Sequence, residues 1–194
     1  MSATTNIETN GQAIATATAI PASEPIQYAA AKSSGIVLPL IKLGAAGEAV
    51  RFAQQRLIAY KYNIGFNGQF GPQMKEAVKH FQANYGGLVV DGIIGKYTWR
   101  ALCGQEFPLG KKFYSPFVPT SYPYDVQMPV LSKGDVGDAV ECLQLRLYDH
   151  GFFWLYIDGI FGPQTLDAVK TFQANKSLTV DGIVGKYTWR KLGE

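Results

Sequence analysis

The side chains able to do chemistry in this chain are few and scattered. Asp91, Asp158 and Asp181 each precede a glycine, in D-G-I-I-G-K-Y-T, D-G-I-F-G-P-Q-T and D-G-I-V-G-K-Y-T. A carboxylate there hydrogen-bonds the backbone two residues on and sets a turn, so all three read as turn formers. One carboxylate per turn is too few for a calcium loop. His80 and His150 stand alone, and Thr171 replaces His80 in a repeated segment. Solvated helix surface explains both better than a metal site. Cys103 and Cys142 fall outside any C-x-x-C or paired spacing and read as free thiols. Nothing assembles a nucleophile with its base and orienting acid, a metal triad or a carboxylate pair. The residues therefore lead to the expectation that the protein is not an enzyme and uses no cofactor or metal.

The elements that would position these residues come in duplicate. Residues 68–85 align with 159–176, and 87–102 with 177–192, giving 24 identities in 34 aligned pairs across a one-residue gap at Gly86. A finer repeat lies inside each copy, since the turn at Asp158 is echoed at Asp181, and that at Asp91 by a weakened N-G-Q-F-G-P-Q-M from Asn67. Each unit reads as a turn that launches a helix. Asp or Asn bonds its own backbone, the next glycine takes positive φ, two apolar residues plug the core, and the second glycine is a permissive N-cap. Pro72 and Pro163 then occupy the first helical position, where no donor is lost.

Helical spacing recurs upstream, with Val50, Ala53 and Leu57 matched by Val140, Leu143 and Leu147. Where the second copy has Cys142-Leu143 the first has Phe52-Ala53, a large-for-small exchange that keeps volume. Ala77, Val78 and Phe81, like Ala168, Val169 and Phe172, share one face of a second helix. A short third helix carries Trp99 with Leu102, or Trp189 with Leu192. Trp99, Trp189, Phe81 and Phe172 occupy periodic positions and read as core. The fold class expected is all-α: two tandem three-helix bundles, residues 36–104 and 130–194, each small enough that its aromatic plugs matter.

The remainder divides into an arm and a linker. Residues 1–35 are Ala-, Thr-, Ser- and Asn-rich, read as a low-complexity arm, and contain neither a visible secretory signal nor a membrane span. Residues 105–129 alternate aromatics and prolines, a stiff linker expected to lie on a surface. A net charge of +3 from 18 basic and 15 acidic residues, with no basic run, makes nucleic acid an unlooked-for partner.

The motifs L-x-x-G-x-x-G-x-x-V, F-G-P-x-T, A-V-x-x-F-Q and V-D-G-I-x-G-x-x-T-W-x-x-L together resemble the peptidoglycan-binding-domain-like family, over about residues 43–102 and 131–192. The first copy departs at Ala53, Gln69 and Met74, which puts its ligand groove more in question than its fold. The resemblance implies non-covalent binding of peptidoglycan glycan or stem peptide, without catalysis by the module, in the cell wall or periplasm. Candidate ligand residues lie in the loop before each first turn: Tyr60, Tyr62 and Phe66, then Phe152, Phe153, Trp154 and Tyr156. Tyr97 and Tyr187, beside Lys96 and Lys186, add a hydroxyl and a charge for stem-peptide carboxylates. Rings left exposed would stack on sugar faces or apolar stems; the alternative is that they fold back into the bundle. A second reading makes the chain a structural subunit of a virion, phage tail or injection-like particle, its modules packing on other subunits.

Overall fold

A computed structural model describes residues 35–106 and 124–194; the low-complexity arm and most of the expected linker lie outside these described residues. Six helices follow one another: α1 (Glu48–Ala59), α2 (Pro72–Tyr85) and α3 (Lys96–Cys103), then α4 (Asp138–Asp149), α5 (Pro163–Asn175) and α6 (Lys186–Leu192). Among the described residues extended pairing is limited to isolated bridges, as Ile41 with Ile94 and Leu131 with Val184. The fold is all-α, three helices to a copy.

The turns launch their helices as the sequence implies, with one change. The glycines at 68, 92, 159 and 182 all have φ between 70° and 74°. Gly71, Gly95, Gly162 and Gly185 are the N-caps, and Pro72 and Pro163 start their helices. Only the second apolar residue of each turn plugs the core. Phe70, Ile94, Phe161 and Val184 are buried, whereas Ile160 and Ile183 remain exposed. The first side chain of each pair lies further out, exposed at Gln69, Ile160 and Ile183 and half-buried at Ile93.

Trp99 and Trp189 lie at the centre of their bundles, fully buried, and each indole N–H donates to a proline carbonyl, of Pro39 at 2.5 Å and Pro129 at 2.7 Å. The prolines thus tie the segment leading into each copy to its third helix. Arg56 and Arg146, buried on α1 and α4, donate from Nε to the Leu102 and Leu192 carbonyls at 3.0 and 2.9 Å, closing the ends of α3 and α6. Burial holds the Arg146 guanidinium down, to about 10, with neighbouring Arg56 acting in the same direction. Arg146 therefore stays cationic at neutral pH, and burial lowers the pKa of Arg56 as well.

The copies are not separate beads. Both fall within one compact unit, and the first helix of each copy packs on the third helix of the other, α1 on α6 and α4 on α3. The leading segments cross over: Ile36 bonds Val136 and Ala139 of the second copy, and Val126 bonds Ala46 and Ala49 of the first. The backbones nearly touch there. Gly137 has φ 123°, and a Cβ on it would stand 2.7 Å from the Gly35 carbonyl carbon.

Matching salt-bridge clusters flank this interface. Arg190 forks onto Glu48 at 2.8 and 2.6 Å, with Lys186 at 3.3 Å. On the other side Arg100 bridges Glu141 and Asp138, and Lys96 reaches Asp138 at 2.9 Å. The cysteines, expected as free thiols, are instead joined: Cys103 at the end of α3 and Cys142 on α4, Cα atoms 5.4 Å apart, form a disulfide between the copies. Their sequence separation of 39 gave no hint, because the interface that brings them together is tertiary. The repeat places Phe52 where the second copy has Cys142, and Gly193 where the first has Cys103. Across the interface from the disulfide, Phe52 packs on Trp99 and Trp189, 6.1 and 5.4 Å between centroids, and a Cβ on Gly193 would meet its ring at 3.2 Å. One flank is covalent and the other aromatic.

Candidate functional site

A buried glutamine underlies every turn that shapes the surface. Gln144 accepts from Asp158 N and Gly159 N, and donates to the Asp158 carboxylate, the Ile160 carbonyl and the Thr165 hydroxyl. Gln82 does the same for the turn at Asp91, and Gln173 grips the turn at Asp181 through Gly182 N. Gln54 holds the turn at Asn67, but Met74 stands in the core where the other units have threonine, so one bond is missing. Each Asp or Asn also accepts from the residue two further on, at 2.8–2.9 Å. That bond, with help from Gln173, holds the Asp181 carboxyl below its usual range. The carboxylates of these turns are occupied in structure.

With the turns fixed, the loop after α4 sorts its aromatics. Phe152 and Leu155 are buried, while Phe153, Trp154 and Tyr156 stand out into solvent, Trp154 with 53% of its surface exposed. Phe152 therefore sits in the core, with Trp154 edge-on against it at 6.2 Å. The corresponding loop of the first copy folds back further. Tyr60 and Tyr62 are half-buried around Phe81, at 5.1 and 6.3 Å, and the Tyr60 hydroxyl donates to the Ala101 carbonyl. Phe66 alone of the three is exposed, beneath Arg51 at 5.4 Å. Tyr97 is half-buried; Tyr187, its counterpart, is 68% exposed under Arg190 at 5.8 Å.

The structure joins two of these candidates across the copies. Phe66 and Tyr187 line one cleft of about 430 Å³, with Arg51 and Gln55 from α1 and Arg190 and Lys191 from the end of the chain. A second groove of about 310 Å³, within the second copy, runs past Ser177, Thr179, Ile183 and Lys186 to the same Tyr187. Arg51, Gln55 and Arg190 were not singled out in the sequence. For Arg51 and Gln55 the signal available was their difference from the aligned Glu141 and Leu145 of the second copy, whereas Arg190 matches Arg100 in the first and gave none.

The histidines differ from expectation in one case. His80 is exposed, but His150 is half-buried at the end of α4, its ring 5.0 Å from that of Phe172 and Nε2 3.3 Å from the Leu192 carbonyl. Burial pushes its pKa down. Among the described residues no three His, Cys, Asp or Glu side chains come together to hold a metal, and no helix is long and apolar enough to cross a membrane.

The turns thus launch three-helix copies whose surfaces carry exposed aromatics beside arginines. The model of the putative peptidoglycan binding domain matches residues 46–102 and 136–192, and the chain belongs to that family, in two copies. It is 36% identical over 174 residues to an N-acetylmuramoyl-L-alanine amidase, CwlL, of Bacillus licheniformis, which covers 83% of this chain and 46% of that protein. To the amidase CwlM of Mycobacterium tuberculosis it is 39% identical over 124 residues, 63% of this chain and 27% of the relative. The chain thus spans less than half the length of these curated relatives. A crystal structure of a peptidoglycan-binding protein from Clostridioides difficile in complex with glutamine hydroxamate aligns at 42% identity over 34% of this chain and 40% of that one, with a TM-score of 0.33.

These relatives correct one expectation. A protein standing apart from catalysis was inferred from the lack of a catalytic constellation, yet relatives at 34–39% identity over most of the chain are named as amidases. The expectation judged the chain by the side chains it contains, whereas these relatives carry similar sequence within proteins named as enzymes.

Proposed function

We propose that this chain attaches to peptidoglycan through its exposed aromatic loops and works in wall hydrolysis of the amidase class. The observation that carries the reading is the row Phe153, Trp154 and Tyr156, held out from the bundle by buried Phe152 and Leu155. Large rings left in water on a small domain favour stacking on sugar faces and apolar stems. The disulfide between the copies supports a location outside the reducing cytoplasm, at the wall itself.

Sedimentation with insoluble sacculi tests the attachment. Trp154→Ala combined with Tyr156→Ala should weaken retention by about 10-fold or more, since each stacked ring contributes on the order of 1 kcal/mol. The unfolding midpoint should stay where it was, because both rings are exposed. Retention equal to wild type would remove these rings from the site. In the same incubations, amino termini freed by amidase-class cleavage are counted with and without an added wall amidase. Binding with no change in that release would detach the chain from hydrolysis.

A further inference from the structure

We infer that the cleft between the two copies, on the Glu48 side, binds the carboxylate-bearing stem peptide of peptidoglycan; this rests on the wall-binding reading above. The cleft's two walls are built alike from different copies. Phe66 lies under Arg51, and Tyr187 under Arg190, so each wall offers an apolar face backed by a guanidinium. Gln55, Leu178 and Lys191 also line it, with Glu194, whose carboxylate pairs with Lys191 at 2.9 Å. Gln55 donates to the Arg190 carbonyl at 3.2 Å, while its Oε1, screened from solvent, has no donor within the protein.

Charge decides the class of ligand. On this flank Arg51, Lys186, Arg190 and Lys191 face Glu48 and Glu194, four cations against two carboxylates. The repeat-equivalent positions on the opposite flank are Glu141, Lys96, Arg100, Ala101, Asp138 and Gly104, two cations against two carboxylates. Both flanks hold the same helix pairing, so packing does not require the excess. Arg51 in place of Glu141, Gln55 in place of Leu145 and Lys191 in place of Ala101 add positive charge and hydrogen-bonding capacity at one cleft alone. A short acidic peptide with small apolar side chains matches it: methyl groups between the rings, carboxylates on the arginines. At about 430 Å³ the cleft has the volume of an ordinary small-ligand site. Tyr187 also borders the groove of the second copy, so a sugar seated there would leave its stem peptide pointing at the cleft.

The test uses the full chain and a soluble disaccharide-tetrapeptide, with its carboxylates free or amidated, titrated by calorimetry. Wild type should bind the free acid at least 10-fold tighter than the amide. Arg51→Glu, which copies the opposite flank, should erase that preference, and Phe66→Ala should weaken both ligands. Lys133→Glu, an equal charge change outside the lining, should leave binding as it is. Should R51E and F66A bind the free acid like wild type while the protein still sediments with sacculi, the cleft is overturned and wall binding survives. Should wild type bind neither sacculi nor the soluble ligand, both readings fall.

Discussion

Gln144 accepts two backbone N–H bonds and shares its two amide hydrogens among three acceptors of one turn, and replacing it removes all of these contacts at once. In Gln144→Leu the amides of Asp158 and Gly159 lose their acceptor, each at a cost of about 1–3 kcal/mol. Chemical denaturation should register a loss of at least one such step, and a smaller one for Gln54→Leu, whose turn already lacks the threonine bond. Trp189→Ala should cost about 3–5 kcal/mol, since the side chain is 1% exposed and its N–H is paired. An unchanged midpoint with lost wall binding would reassign Trp189 from core to ligand platform. The tryptophans and the D-G turns were legible because period and turn chemistry are local. Gln54, Gln82, Gln144 and Gln173 were not, although they sit in the repeated words. A glutamine in F-Q-A-N reads as solvated helix surface until the chain returns 8 or 9 residues later to put a turn over it. Likewise Phe152 and Phe153 are the same residue type in sequence, and only the path of the loop buries one and exposes the other.

Between elements, the interface carries its own pH signature. The Arg190 fork, followed by Lys186, holds the Glu48 carboxyl below its ordinary 4.5, so folding favours the carboxylate. That stabilisation is whole above the unfolded pKa and is lost as pH falls through the lower folded value. His150, pushed below its ordinary 6.5 by burial, is favoured neutral, and its contribution is whole above that value and lost as pH falls through the depressed one. Thermal midpoints should therefore fall in two stages on acidification. The difference between wild type and Glu48→Gln should stay level from about pH 7 to 5 and shrink below that. A difference that grows on acidification would contradict the pairing. Reduction, or Cys103→Ser with Cys142→Ser, opens a loop of 39 residues and should cost about 4 kcal/mol on the chain-entropy account. The helices themselves were readable in sequence, with their caps, but the way α1 meets α6 was not. Glu48, Arg190 and Cys103 carry no periodic signal, since their partners lie in the other copy.

At the scale of the whole molecule, the crossed leaders mean that neither copy carries all of its own support. Residues 124–194 expressed alone lose Ile36 from the edge of α4 and Phe52 from Trp189. That fragment should unfold by calorimetry at a lower temperature than the intact chain, and equal midpoints would show the interface to be idle. The alternation at the interface has a further consequence, for how chains behave when concentrated on a surface. Two first copies pairing with each other would press Phe52 onto Cys103 at both flanks, an overfilled contact. Two second copies would set Cys142 opposite Gly193 at both flanks and leave holes. Overfilling and holes each cost on the order of 1–3 kcal/mol, so like repels like and only unlike copies fit. Within one chain the unlike partner is present at an effective concentration in the millimolar range, above anything a neighbouring chain supplies. Crowded side by side, these chains are expected to remain single, each already mated to itself.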